Sequence, residues 1–358
     1  MPRHVVISID AMGGDHAPAI VVEGVALLAK TFDDGSLEVL LHGKASAIEP
    51  LLAKYPAAAR ISKVRHTDTH VSMTDKPSQA IRKARGSSMW NAIEAVKSGE
   101  AHACVSAGNT GALMVLSKVL LHMAPNAHRP VIAASWPTIR GASVVLDVGA
   151  NVECAPSQLV EFAIMGEAFY TALHGKKLPS VGLLNVGTED LKGNGIVREA
   201  DMLIRQADLD MNYQGFIEGD GISLGAADVV VTDGFTGNVA LKTAEGTAKL
   251  AAEFLRQSMK RSPLTMLGAL LSRSAFAELR SRMDPRKFNG GVFLGLGGVV
   301  VKSHGGTDGY GFSNALSVAL NMARSNYAQS IAVNLEKLAK SIETTNQLKR
   351  AKQESTNA

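Results

Sequence analysis

An apolar run that stops on an aspartate and breaks at two glycines constrains this chain most: Asp228-Val-Val-Val-Thr-Asp233-Gly-Phe-Thr-Gly-Asn238-Val-Ala-Leu-Lys242. Such a run, bounded by turn formers, suits a buried parallel strand. Gly234 and Gly237 allow a tight turn whose backbone N–H groups can face a ligand. Thr236 and Asn238 are both candidate caps for the helix that follows, whose positive dipole end starts in the turn. A junction of this kind suits an anion.

The same grammar recurs. Ile7-Ser-Ile-Asp10 runs into Met12-Gly13-Gly14-Asp15, and Ala103-Cys-Val-Ser106 into Ala107-Gly-Asn109-Thr110-Gly111. Val144-Val-Leu-Asp147 runs into Val148-Gly-Ala-Asn151, and Val181-Gly-Leu-Leu-Asn185 into Val186-Gly-Thr-Glu189-Asp190-Leu-Lys192-Gly-Asn194. Strands that each release Asp, Asn, Ser or Thr at the carboxyl end predict one shared crevice there, where open α/β sheets bind ligands.

Between the junctions, helical periodicity covers 17–31, 45–55, 110–123, 156–174 and 195–207, and Ser87-Ser88 caps a helix through Val96. Further strands are expected at 37–43, 61–66 and 131–135, with the polar segment 67–86 looping over the crevice. This alternation predicts a mostly parallel sheet with helices on both faces. From Val239 to about Met283 the pattern is purely helical, broken near Ser262-Pro263, and reads as a helical hairpin insertion. Strands return at 291–294 and 298–302, then a helix from about Asn314 to Ile342. A single domain over 1–342 is expected, followed by a disordered polar tail, 343–358.

The chain is 46% apolar and 20% charged, as in ordinary soluble proteins. Few aromatics, no arginine-rich run and no zinc-finger spacing argue against nucleic acid. A pI near 9.0 favours acidic partners or anionic surfaces. Cys104 and Cys154 are too few and too far apart for a disulfide framework or zinc cluster. The amino terminus enters a strand directly, without room for a signal peptide, and no apolar run reaches the roughly 18 residues of a spanning helix. A cytosolic protein with reduced thiols is expected.

Taken in order, Asp10-Ala-Met-Gly-Gly-Asp15, Ser106-Ala-Gly-Asn-Thr-Gly-Ala112, Asp147-Val-Gly-Ala-Asn151, Asp233-Gly-Phe-Thr-Gly-Asn238 and Lys302-Ser-His-Gly305 resemble the bacterial acyl-ACP:phosphate acyltransferases, the PlsX family. The resemblance runs from Ile7 to about Ala323. It implies a Rossmann-like three-layer αβα architecture, similar to the isocitrate/isopropylmalate dehydrogenase-like fold and to phosphate acetyltransferase. It also implies a cytoplasmic homodimer that transfers a fatty acyl group from acyl carrier protein to inorganic phosphate. The acyl phosphate would pass to a membrane-bound glycerol-3-phosphate acyltransferase of phospholipid synthesis. No cofactor and no metal are assigned.

Phosphate dianion is already a competent nucleophile, so the implied reaction needs positioning and electrostatic help more than a strong base. Lys192 is expected to meet phosphate or the developing oxyanion, or else to pair at the surface with Glu189 or Asp190. Asn238 can donate to an oxygen, cap its helix, or do both, and Asn109 can donate likewise. His304 can protonate the leaving thiolate, bind phosphate, or simply hold a turn. Asp10, Asp147 and Asp233 can orient such partners or hold their own turns, and Thr110 and Asn151 have the same alternatives. Gly13, Gly14, Asp190, Gly234 and Thr236 complete the expected substrate-binding set. Cys104 reads as packing, and Cys154 lacks a histidine spaced to activate it, so a covalent acyl-enzyme is rejected.

Leu264, Leu267, Leu270 and Leu271, flanked by arginines, suit an interfacial helix pair making peripheral contact with anionic membrane. They equally suit a dimer seam or an acyl channel. Arg82, Lys83 and Arg85 are a candidate dock for the acidic carrier, or a solvated face. A nicotinamide-dependent dehydrogenase is the competing enzyme, but Met12-Gly-Gly-Asp15 stands where a Gly-x-Gly-x-x-Gly fingerprint belongs. A non-catalytic scaffold would leave the polar strand ends superfluous.

Overall fold

The computed structural model describes residues 4–32, 35–75, 81–207, 209–325 and 327–356, with side chains as far as 343. In chain order the strands are β1 (Val5–Asp10), β2 (Leu37–Gly43), β3 (Ser62–His66), β4 (Ala103–Ser106), β5 (Val131–Thr138) and β6 (Gly141–Leu146). They continue as β7 (Ser180–Leu184), β8 (Asn212–Ile217), β9 (Val229–Val231), β10 (Gly291–Leu294) and β11 (Val299–Lys302). All join one sheet in the order β3-β2-β1-β4-β11-β10-β5-β6-β9-β7-β8.

The valine-rich runs are buried on both faces, as a covered sheet requires. Ile7, Ile9, Val105 and Val301 point into a core shared with the helices Ala19–Ala29, Pro156–His174 and Gly309–Arg324. Cys104, Val300 and Phe293 point the other way, toward the helices Ser88–Lys97 and Thr110–Leu121. Fully buried Phe162 and Phe169 fasten Pro156–His174 to the sheet; each such ring contributes roughly 1.5–3 kcal/mol. The expected mixed α/β architecture, with a mostly parallel sheet between helices, is what the chain adopts.

The shared crevice is not. β10 runs antiparallel to both β11 and β5, and β5 runs antiparallel to β6, whereas the other neighbours are parallel. Consequently β1–β5 and β11 point one way and β6–β10 the other. The loops after Asp10, Ser106 and Lys302 leave one edge of the sheet; those after Leu146, Leu184 and Val231 leave the opposite edge. The cause is a tight hairpin in which Thr138 pairs with Gly141 across Ile139-Arg140. Its first strand contains Pro137, a residue that ordinarily argues against a strand interior.

Three further differences concern helices and strands. β8 and the short helices Pro56–Ile61 and Gly219–Leu224 were not expected. The insertion is a long helix already begun at Gly234 (Gly234–Met259), followed by Pro263–Leu271 and Arg273–Arg282. The carboxyl-terminal helix is divided into Gly309–Arg324 and Tyr327–Thr356. Tyr327, Ile331, Leu335 and Leu338 recur on one face and bury against the core, which anchors that helix.

Candidate active site

At the second edge the neighbouring strands β6, β9 and β7 deliver three loops side by side. Asp147 follows β6, is fully buried, and organises the first loop. Its Oδ1 accepts from the backbone N–H of Gly149 (3.0 Å) and Ala150 (2.9 Å). Its Oδ2 accepts from the backbone N–H and the Nδ2 of Asn151, both at 2.8 Å. Burial pushes the Asp147 carboxyl above the usual range, and the N–H groups of Ala150, Asn151 and Gly149 pull it back. Asn151 Nδ2 also donates to the Pro130 carbonyl at 2.8 Å, so this side chain holds the turn.

The β9 loop packs on the first. Gly234 N donates to the Asn151 carbonyl at 2.7 Å. Gly237 lies so close to the Asp147 carbonyl that a Cβ there would collide with it. Asp233, rather than Thr236 or Asn238, caps the long helix: its Oδ1 accepts from Thr236 N and its Oδ2 from Thr236 Oγ1, each at 2.8 Å. Asn238 is exposed, and its Nδ2 donates to the Val148 carbonyl at 3.2 Å, over Gly149 (φ +130°). In the third loop, after β7, Asn185 Nδ2 donates to the carbonyls of Gly187 (3.1 Å) and Lys192 (3.2 Å) and closes the bend. Lys192 is exposed, and among the described residues its ammonium makes no ion pair, with Glu189 and Asp190 included. Asp190 is also exposed.

The first edge carries the remaining candidates. His42, Asp10, Ser106 and Lys302 lie in register across β2, β1, β4 and β11, forming one cross-strand row. Ser106 Oγ donates to Asp10 Oδ2 at 2.7 Å and accepts from Gly108 N at 3.0 Å. Gly13 packs against that pair, and Gly14 (φ +106°) against Ala107 and Gly305. Burial raises the Asp10 pKa, opposed by the hydroxyls of Ser88 and Ser106, the Met12 N–H and the charge of His70. Asn109 Oδ1 caps the helix from Thr110 through Ala112 N (3.0 Å), while its Nδ2 is taken up by the carbonyls of Met73 (2.8 Å) and Asp75 (3.0 Å). His304 Nδ1 accepts from Gly306 N at 3.2 Å, a turn-holding contact.

Asp10, Gly13, Gly14, Asn109, Thr110 and His304 therefore form one group. Asp147, Asn151, Asp190, Lys192, Asp233, Gly234, Thr236 and Asn238 form another. His304 leaves the sheet on the edge opposite Lys192 and Asn238, so within one chain it does not serve them as an acid. Sequence reasoning missed Lys302 as a site residue, although it ends an apolar strand just as Asp10 and Ser106 do. Its Nζ donates to the carbonyls of Ala107 (3.3 Å) and Ser303, and burial lowers its pKa to about 8 against the pull of Asp10 and Asp15. Cys154 is buried, and that burial, with Asp147 and Asp233 nearby, pushes its thiol up to about 12, where it is a poor nucleophile. Among the described residues no group of three or more His, Cys, Asp or Glu is arranged around a metal position.

Residues 5–330 match the family model described as fatty acid synthesis protein. The chain belongs to this family. It is 61% identical over 334 residues to the phosphate acyltransferase of Maricaulis maris, covering 93% of this chain and 95% of that one. With the phosphate acyltransferase of Caulobacter vibrioides it shares 55% identity over 338 residues, 94% of this chain and 93% of the relative. Among solved structures it resembles a phosphotransacetylase from Streptococcus pyogenes, with a TM-score of 0.60 at 16% identity over 92% of this chain and 95% of that one. A branched-chain phosphotransacylase from Enterococcus faecalis aligns at a TM-score of 0.53 and 15% identity, covering 90% and 100%. At such identities these two support the fold. The family read from the five motifs is thus the family of the chain, an acyltransferase of lipid biosynthesis.

For an acyltransferase, the second edge joins three useful things. A helix begins there with its N–H dipole end, Asn238 offers an uncharged amide, and Lys192 offers an exposed cation. Buried hydrogen bonds fix the loops beneath them, so their geometry exists before a ligand arrives.

Proposed function

We infer that this acyltransferase moves a fatty acyl group from acyl carrier protein to inorganic phosphate, and that the second edge does the chemistry. The observation that carries this reading is the junction of Lys192 and Asn238 at the ends of adjoining strands, on loops pinned by Asp147 and Asn185. A phosphate oxygen attacks the thioester carbonyl carbon, its electron pair forming the new C–O bond. The resulting tetrahedral oxyanion accepts from Asn238 and is screened by Lys192. The C–S bond then breaks, and its electron pair leaves on sulfur. The proton carried by hydrogen phosphate ends, through water, on that sulfur or in solvent. A thiol of pKa about 8.5 departs without a strong acid, which suits a site from which His304 is remote. Lys192→Ala or Asn238→Ala should lower kcat by about 100-fold or more, as removal of an oxyanion donor does.

The carrier, being acidic, is assigned to the exposed Arg82, Lys83 and Arg85 or to the arginines of the insertion. A homodimer, and hand-over of acyl phosphate to a membrane glycerol-3-phosphate acyltransferase, complete the reading. Among the described residues no helix is long and apolar enough to cross a membrane. The insertion exposes Leu264, Met266, Leu267, Leu270 and Leu271 beside Arg261 and Arg273, which supports peripheral contact with anionic lipid. The likeness to the isocitrate/isopropylmalate dehydrogenase-like fold is part of the same reading, and structural superposition would test it. The test of function is release of free carrier thiol from palmitoyl-carrier, with the product trapped as its hydroxamate. Release and trapping that both require phosphate are expected; phosphate-independent release would count against the reading.

A further inference from the structure

We propose that a ring of exposed apolar side chains around the second edge grips the acyl chain and sets the preferred length, resting on the acyl-transfer reading above. Val152 follows Asn151, Val186 follows Asn185, Leu191 precedes Lys192, Phe235 follows Gly234 and Val239 follows Asn238. Their exposures are 68%, 78%, 87%, 62% and 51%. Scattered exposed apolar residues are ordinary. These are not scattered: each adjoins a polar residue of the cluster, and they come from all three of its loops. The first edge exposes fewer: among the described residues Tyr310, after β11, and Met73, beside Gly305, are 38% and 40% exposed, and the segments 11–18 and 107–110 carry no large exposed hydrophobic.

The loops do not need these side chains for their own structure, because Asp147, Asn185 and Asp233 hold the bends through hydrogen bonds. Their apolar surface stays in water until a ligand covers it. A molecule with a polar reacting carbonyl and a long apolar tail matches a polar centre inside an apolar ring. The surface also continues outward. Leu250 and Phe254, 53% and 59% exposed, lie about three and about four turns beyond Val239 along the helix, on the face of Phe235 and Val239.

The experiment is phosphate-dependent thiol release from pantetheine thioesters of increasing length, butyryl to palmitoyl. Each methylene taken out of water is worth about fourfold in binding, so kcat/KM should climb with chain length. Leu191→Ser and Val186→Ser should flatten that climb, chiefly through KM, and both positions are too exposed for the change to unfold the protein. Ile139→Ser, at an 80% exposed position on the β5–β6 turn, should keep the wild-type slope. An unchanged slope in the Leu191 and Val186 variants would overturn the proposal, the more so if they altered the oligomeric state, which would assign the ring to an interface between copies. A wild-type rate independent of chain length would overturn it too, yet leave acyl transfer standing. No phosphate-dependent release at any length would remove both.

Discussion

A single buried carboxylate can decide whether a loop has a shape, and Asp147 takes that part here. It gathers N–H donors from Gly149, Ala150 and Asn151, so Asp147→Ala would leave buried donors without a partner. A loss of roughly 2–4 kcal/mol is expected, read as a lower midpoint in urea unfolding; a midpoint within error of wild type would refute it. Glu167 makes a separate prediction. It is buried on Pro156–His174, and burial, with the charge of Asp210, raises its pKa from 4.5 to about 7. The folded state then holds a proton that the unfolded chain has lost, so stability should fall as pH rises from about 4.5 to about 7. Glu167→Gln should remove that slope in thermal melts across the window; a slope that persists would assign it elsewhere. At this scale the sequence was informative about which residues stand at strand ends. It was silent on their roles: Asp233 is the cap in place of Thr236 and Asn238, and Asn109's amide is taken by the 73–75 carbonyls. Lys302 escaped notice because a lysine at a strand end looks like a solvated one until burial is known.

Elements carry the next set of constraints. The junction of β9 with its helix depends on Gly237, where a Cβ would meet the Asp147 carbonyl backbone rather than a side chain able to turn aside. Gly237→Ala should therefore cost on the order of 1–3 kcal/mol and reduce activity with it, as joint melting and rate measurements would reveal. Wild-type behaviour in both would mean the helix start can shift freely. The helices Pro263–Leu271 and Arg273–Arg282 bury none of their residues, and their leucines face solvent. Leu267→Asp with Leu271→Glu should release the protein from anionic vesicles in co-sedimentation; equal sedimentation of a folded double variant would exclude lipid contact through these residues. Most strands and helices were legible from period and turn chemistry. The β5–β6 hairpin was not, because Pro137 sits inside a strand and the Ile139-Arg140 turn lacks the Asn-Gly signature of such loops.

Two reversals, at β5–β6 and at β10–β11, set strand direction across the molecule. Strand ends that look alike in sequence were expected to converge, since a wholly parallel sheet sends every carboxyl end to one edge. Reversal at β6 divides them into an edge built on Asp10, Ser106 and Lys302 and an edge built on Asp147, Asn185 and Asp233. Direction is a non-local property, fixed by which strands pair, so local pattern could not supply it. The family, by contrast, was legible because its motifs are read residue by residue and do not depend on where the strands point. The proposed chemistry belongs to the second edge. Its most direct test is the turnover number for phosphate-dependent thiol release from palmitoyl-carrier in wild type, Lys192→Ala and Asn238→Ala. Turnover about 100-fold or more below wild type in each variant is the predicted result; wild-type turnover in both would contradict the assignment of the chemistry to this edge.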